Sequence, residues 1–443
     1  MNLFEGEGIM GKTVKIGLLG CGTVGGGVII VLNENRDDIA RKAGCTIEVK
    51  TVLVRDKANL KPEIKKYNVG YTDNLDDILN DPEIDIVVEL IGRVHPAKEY
   101  IEAALKHGKH VVTANKDVLA EYGKALFTLA EENHVDFQFE GAVGGGIPII
   151  RPLRSCLAAN KISSIMGIVN GTTNYMLTRM TEAGLSYENA LAEAQAKGYA
   201  ESDPTADVEG IDAARKITVL ASLAFNTALT LKDVHIEGID NVDACDISYA
   251  RDLGYVVKLL GVAKNDPENG ITANVYPVML PKNHPLASVN DVYNAIYVNG
   301  DAVGDAMFMG RGAGRLPTAS AVCGDIIDTA RNICNNCCGR IKGNLFEEKK
   351  MCPPEKEMAP CYFRLLVNDR PGVLAAIAST LAAQQMSIAS VIQKNVLENG
   401  LAELIIITYK VSRLSLELSM RTLQVLPVVK KVCSVLRVED PNL

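Results

Sequence analysis

A short apolar run, Thr13-Val-Lys-Ile-Gly-Leu-Leu19, leads straight into Gly20-Cys-Gly22-Thr-Val-Gly25 and then into an apolar helical stretch. Few folds tolerate this combination. In a strand–turn–helix unit the first glycine makes the tight turn and the second lets backbone approach a pyrophosphate. The third lets the helix pack against the strand. The helix N-terminus then faces the phosphate charge. Alone the pattern is short, and a glycine-rich turn without a ligand would look the same, so its context decides. Strands are expected over 46–54, 84–91, 110–113 and 135–139, alternating with helices over 74–79, 96–106 and 117–133. Repeated βα units imply a Rossmann-type, doubly wound parallel sheet with ligands at the carboxyl ends of its strands. Those ends are Gly20–Gly25, Arg55, Ile91–Arg93, Thr113–Lys116 and Glu140. Arg55 and Lys57 favour the 2′-phosphate of NADP, while Asp56 keeps NAD open.

Composition narrows the function classes. The chain has 443 residues, enough for two or three domains, and a net charge of −8, which gives no electrostatic case for nucleic acid. No apolar run approaches the length needed to cross a membrane. Met1 to Gly11 is neither a secretory nor an Arg-rich transit segment. Eleven cysteines without framework spacing fit reduced thiols in the cytoplasm. Cys334, Cys337 and Cys338 lack a second pair of metal ligands and are expected to pack in a helix.

The chemistry-bearing stretch runs from Gly198 to Lys216. It holds Glu201, Asp203, Asp207, Glu209 and Asp212 before a lysine inside an apolar helix. Asp212 and Lys216 are four apart and share a helix face. They read either as a structural ion pair or as a proton-transfer group tuned by burial. Asn170 to Tyr175 is dense in amides and hydroxyls and suits a small polar ligand. Glu140 to Ile147 pairs an acid with glycine-permitted turns that can offer carbonyl oxygens to a hard cation, or else crosses between domains. A second glycine-dense loop, 310–318, precedes another helix. Residues 339–360 are charged, contain adjacent prolines and read as a linker. After them the order βαββαβ predicts a small ferredoxin-like sheet.

Read in order, GLLGCGTVGGGV, TANKDVLA, EGAVGGGIPII, NGTTNYML, GYAESDPTADVEGIDAARK and NAIYVNGDAVGDAMFMGRGAGRLPTAS resemble the homoserine dehydrogenases. DRPGVL in the C-terminal segment resembles an ACT domain. The resemblance departs at Arg93, where the family more often has a second glycine. It implies a dinucleotide-binding domain over 13–143 and an α+β substrate and dimerisation domain over 144–320. A helix over 321–338 would return to the first domain, with the linker at 339–360 and the ACT domain at 361–443. The implied activity interconverts L-homoserine and L-aspartate 4-semialdehyde with NADP or NAD, in threonine, methionine and isoleucine biosynthesis.

By the same resemblance Lys216 is the principal acid/base, Lys116 its partner, and Asp212 orients Lys216. Glu201, with Asp212, would take the substrate ammonium, and Tyr199, Gly171 and Thr172 would hold its carboxylate end. Gly20, Gly22, Thr23, Val24, Gly25, Arg55, Lys57, Gly92, Thr113, Asn115, Lys116 and Gly312 would line the cofactor. Glu140 with the carbonyls of Val143, Gly145 and Ile147 would hold a monovalent cation, Na⁺. L-Threonine would act as effector near Asp369, Gly372 and Gln393, and the chain would form a homodimer or homotetramer. The other readings are a dehydrogenase of a different small amino alcohol or semialdehyde, and an amino-acid sensor without turnover.

Overall fold

The computed structural model describes residues 12–56, 62–341, 347–397, 400–440 and 443. The chain forms two compact units. One comprises 1–162, 218–231 and 300–348; the other comprises 163–217, 232–299 and 349–443.

The first unit is built on a parallel sheet. Its strands are β1 (Thr13–Leu19), β2 (Thr46–Leu53), β3 (Gly70–Thr72), β4 (Ile86–Glu89), β5 (His110–Thr113) and β6 (Phe137–Gln138), in the order β3-β2-β1-β4-β5-β6. Every residue of β4 is buried, as a strand covered on both faces requires. The strand order reverses between β1 and β4, which places the ligand cleft at their carboxyl ends. Helix α1 (Thr23–Glu34) covers one face, where Val28, Ile29 and Leu32 join Val14, Ile16 and Leu18 in the core. The helix Arg315–Cys334 belongs to the same core through Ala319, Val322, Cys323 and Ile326. It begins earlier than the expected 321. Pro317 is its third residue, a first-turn position whose amide has no partner within a helix, so proline costs little there.

The second unit carries a longer sheet. Strands β7 (Ile162–Ile168), β8 (Tyr255–Asp266), β9 (Gly270–Pro281) and β10 (Tyr293–Gly300) run in the order β10-β7-β8-β9. Helices α2 (Gly171–Ala183) and α4 (Ala244–Asp252) belong to this unit, as does the start of α3 (Ile211–Phe225). The C-terminal segment folds as β11 (Cys361–Asn368), α5 (Val373–Ala383), β12 (Ile388–Leu397), β13 (Leu401–Thr408), α6 (Arg413–Val425) and β14 (Val429–Val438). Its strands lie in the order β14-β11-β13-β12, the βαββαβ arrangement expected of a ferredoxin-like sheet.

This sheet does not stand apart. Strand β14 pairs in parallel with β9, Val278 opposite Arg437 and Met279 opposite Val438, so the two sheets are continuous. The stretch read as a linker is corrected in its second half. Ile271 N–H donates to the Lys350 carbonyl at 2.9 Å, Cys352 N–H donates to the Ile271 carbonyl at 2.8 Å, and Met358–Ala359 pair with Val411–Ser412. Backbone pairing holds this segment, which is why it carries no apolar periodicity. In DRPGVL, Gly372 has φ +88° and caps α5, so Pro371 lies before the helix rather than in its first turn.

Candidate active site

The strand–turn–helix at residues 13–34 forms the wall of a cleft of about 570 Å³ lined by Gly20, Gly22, Arg55, Asp56, Gly92 and Arg93, among others. A Cβ on Gly25 would lie 2.2 Å from the Gly20 carbonyl oxygen, so α1 approaches the turn only because residue 25 has no side chain. At Gly22 a Cβ would meet nothing within 4 Å, which leaves its backbone open to a bound phosphate. A cradle of this shape at the reversal of strand order fits a dinucleotide. Thr23 and Val24 open α1. Arg55 and Asp56 both line the cleft; Lys57 lies outside the described residues. Gly25→Ala forces backbone apart at a cost of about 1–3 kcal/mol. It is expected to weaken NADPH binding roughly ten- to a hundredfold, read by fluorescence titration.

Beneath this cleft lies a polar floor that sequence reasoning missed. Glu89, fully buried at the end of β4, accepts the amides of Ile91 at 2.7 Å and Gly92 at 3.3 Å, and the Thr113 hydroxyl at 2.7 Å. Burial pushes its carboxyl up. Asn115 caps the helix starting at Lys116 and donates from its side chain to the Arg93 carbonyl at 2.7 Å. Gly92, Thr113 and Asn115 are thereby tied into one network. Arg93 has φ +62°, a left-handed conformation that glycine adopts without strain, which is a physical reason for glycine at this position.

In the second unit, Gly171 and Thr172 begin α2 behind the cap Asn170. The Asn170 amide donates to Asp207 at 2.6 Å and to Asp212 Oδ2 at 2.8 Å. Lys216 donates to that same oxygen of Asp212 at 2.7 Å and to the Val169 carbonyl at 2.7 Å. The Thr172 hydroxyl donates to the Tyr199 carbonyl at 2.6 Å, and the Tyr199 ring meets Tyr175 edge-on. The structure therefore brings Gly171, Thr172, Tyr199, Asp212 and Lys216 together, and adds Asn170 and Asp207. Burial, and then the nearby Asp212 charge, push the Asp207 carboxyl up. Glu201 is exposed on the same stretch. The acid-rich spacing flagged all five carboxylates without saying which turn inward. Lys116 belongs to the first unit and Lys216 to the second.

The Glu140 loop is buried in the first unit. Its carboxylate accepts the amides of Ile149, Ile150 and Arg151 at 2.6, 2.8 and 2.7 Å. What this segment offers a cation is therefore carbonyl oxygen, the donor type a hard monovalent ion takes. A Cβ on Gly145 would lie 2.5 Å from the Gly312 carbonyl oxygen, so these two residues approach backbone to backbone. Asp325 accepts the Glu140 amide at 2.7 Å and the Arg151 guanidinium at 2.9 Å. Burial first, and the Glu140 carboxylate second, push Asp325 up to about 7. A carboxyl raised in the folded state keeps a proton that the unfolded chain loses near pH 4, so its contribution to stability falls as pH rises from there to about 7. Asp325→Asn is expected to remove that slope. Relative to the parent, the variant should gain roughly 2–3 kcal/mol between about pH 5 and about pH 7, read from urea midpoints.

Near the first unit's other edge, His110, Asp136 and Cys338 place potential ligand atoms within 4.8 Å of one another. Their hydrogen bonds assign them to structure. His110 Nδ1 accepts the Asp136 amide at 2.9 Å, so Nε2 carries the proton and faces Cys338 Sγ at 3.7 Å. The Asp136 carboxylate accepts Gly339 N–H at 2.7 Å and the Asn332 amide at 2.8 Å. Burial pushes the Cys338 thiol up to about 11.

Comparison with known proteins agrees with this geometry. Family models described as the NAD binding domain of homoserine dehydrogenase, homoserine dehydrogenase, and ACT domain match residues 20–140, 148–327 and 362–428. A homoserine dehydrogenase of Neisseria gonorrhoeae is 42% identical over 434 residues, covering 97% of this chain and 99% of the relative. The crystal structure of a homoserine dehydrogenase from Thiobacillus denitrificans superposes with a TM-score of 0.92 at 40% identity, over 97% of this chain and 99% of that one. A hyperthermophilic archaeal homoserine dehydrogenase in complex with NADPH has a TM-score of 0.61 at 28% identity, over 72% of this chain and 98% of that one. With the dinucleotide cleft, the Asp212–Lys216 cluster and the C-terminal ACT sheet in place, this chain belongs to the homoserine dehydrogenases, nicotinamide-dependent oxidoreductases acting on a CH–OH group.

Proposed function

We propose that the chain interconverts L-homoserine and L-aspartate 4-semialdehyde with NADP preferred over NAD, using Lys216 as acid and base. The observation that carries this is the seating of the Lys216 ammonium. Among the described residues two of its three donor positions are filled, by Asp212 and by the Val169 carbonyl, and the third is left for a substrate oxygen. A nicotinamide cofactor held by the Gly20–Gly25 turn would supply the hydride acceptor for the carbinol carbon. Lys216 in its amine form takes the hydroxyl proton, and as ammonium returns it to the aldehyde oxygen in the reverse direction. Asp212 orients that amine, and Asp207 and Asn170 hold Asp212 in turn. Lys116 assists at the substrate oxygen or nicotinamide. Asp212 and Glu201 take the substrate ammonium, while Tyr199, Gly171 and Thr172 take its carboxylate end.

Arg55 supports NADP through the 2′-phosphate, in keeping with the NADPH bound to the archaeal relative. The carbonyls of Val143, Gly145 and Ile147, with the Glu140 segment, would hold Na⁺. The ACT sheet carries feedback inhibition by L-threonine at the turn where Gln393 donates to Asp369 at 3.2 Å beside Gly372. The enzyme works in the cytoplasm as a homodimer or homotetramer. Among the described residues no helix is long and apolar enough to cross a membrane.

Steady-state rates with NADP⁺ and NAD⁺, for the parent and for Arg55→Ala, each with and without L-threonine, test the finer claims. Arg55→Ala is expected to lower kcat/KM for NADP⁺ about tenfold or more with little change for NAD⁺. Equal losses with both nucleotides, or rates indifferent to threonine, would contradict the corresponding claim.

A further inference from the structure

Where β9 meets the C-terminal sheet, the second unit holds a partly open cavity of about 220 Å³. One wall is a single face of β9, since residues two apart point the same way. That face presents Asn274 and Tyr276, which are 3% and 5% exposed. Neither the Asn274 amide nor the Tyr276 hydroxyl hydrogen-bonds another described residue, although both line the cavity. Both groups are thus free to hydrogen-bond a molecule that enters the cleft. Across the cleft, the Arg413 Nε is buried and faces Glu417 at 3.6 Å. Both signs of charge stand around it, with Arg413 paired to Glu357 at 3.1 Å and Lys264 to Glu439 at 2.9 Å.

We propose that this cavity binds a small neutral α-amino acid, at a site separate from Asp369, Gly372 and Gln393. The volume lies below the range of about 300–1,000 Å³ typical of drug-sized ligands and excludes a nucleotide. A zwitterion uses what the walls leave unsatisfied. Its carboxylate meets the Tyr276 hydroxyl, and its ammonium meets the Asn274 carbonyl oxygen and Glu357. The first amides of α6 cannot serve. Arg413 N–H donates to the Glu357 carbonyl at 2.9 Å, Leu414 N–H to the Pro354 carbonyl at 3.2 Å, and Ser415 N–H to Ser412 Oγ at 3.0 Å. Recognition therefore falls to side chains of β9 and to Glu357, and an occupant would bridge β9 to the segment that leads into β11.

Calorimetric titration of the full chain with L-threonine, L-valine and L-methionine tests this, using the parent, Tyr276→Phe, Asn274→Leu and Asp369→Ala. At least one of the three is expected to bind the parent saturably. Tyr276→Phe and Asn274→Leu should each weaken that binding tenfold or more, while Asp369→Ala changes it less than twofold. Homoserine turnover without added amino acid should stay within twofold of the parent in all variants, which reports intact folding. Binding unchanged by both cavity variants, binding abolished only by Asp369→Ala, or no binding of any of the three would overturn the proposal. Threonine inhibition that survives both cavity variants but is lost in Asp369→Ala would keep feedback at the Asp369 turn and leave the cavity to the binding result alone. Cavity binding of another amino acid, with no inhibition by threonine, would overturn the feedback reading alone.

Discussion

Lys216→Ala is expected to lower kcat for homoserine oxidation by about 100-fold or more, with NADPH affinity within a few-fold of the parent. The side chain is only 12% exposed and its ammonium sits on Asp212 and the Val169 carbonyl. Alanine removes the proton acceptor and leaves water to take the role. A purely structural ion pair predicts a different pattern, with lower stability but near-normal kcat per folded molecule. Lys216→Arg separates the two. Arginine can keep the pair with Asp212 but does not deprotonate in proteins, so the account predicts that it restores the melting temperature and not the rate. A Lys216→Arg enzyme with parental kcat would remove Lys216 from proton transfer.

Arg364→Met should have the largest effect on stability. Arg364 lies on β11 at 6% exposure and donates through Nε to Asp246 Oδ1 at 2.7 Å, through a second nitrogen to Asp246 Oδ2 at 3.1 Å, and to Glu403 at 3.2 Å. It also pairs with Asp243. Asp246 is fully buried on α4 and accepts the Ser434 hydroxyl at 2.7 Å and the Tyr362 hydroxyl at 3.1 Å as well. Methionine fills much of the space but leaves the Asp246 carboxylate without its cation, at a cost of about 3–5 kcal/mol. Denaturant unfolding should show a lowered midpoint, and Arg364→Met combined with Asp246→Leu should recover part of the loss. An unchanged midpoint in the single variant would mean that the network adds nothing net.

The local signals were legible in the sequence. Gly25 announced a close helix approach, and the Cβ distance to the Gly20 carbonyl agrees. The alternation of apolar strands and helices predicted the parallel sheet, and the βαββαβ order anticipated the C-terminal fold. What escaped were pairings between distant segments. The β9–β14 ladder joins Val278 to Arg437 through backbone groups, and backbone pairing leaves no mark in side-chain pattern. The same is true of residues 350–359, whose prolines and charges look like a linker. Within the site, Asp212 and Lys216 were readable from helix spacing. Asp207 was one acid among five, and only the fold shows that it turns toward Asn170. Glu89 sits inside an apolar strand, where a lone carboxylate could equally face a cation, an amide cluster or solvent.

The most direct measurement is the initial rate of NADP⁺ reduction by L-homoserine with the purified full chain, followed by the reverse rate with L-aspartate 4-semialdehyde and NADPH. The account predicts saturable turnover in both directions, lowered together by about 100-fold or more in Lys216→Ala. A folded protein that binds NADPH but turns over neither substrate, with NADP or with NAD, would contradict it.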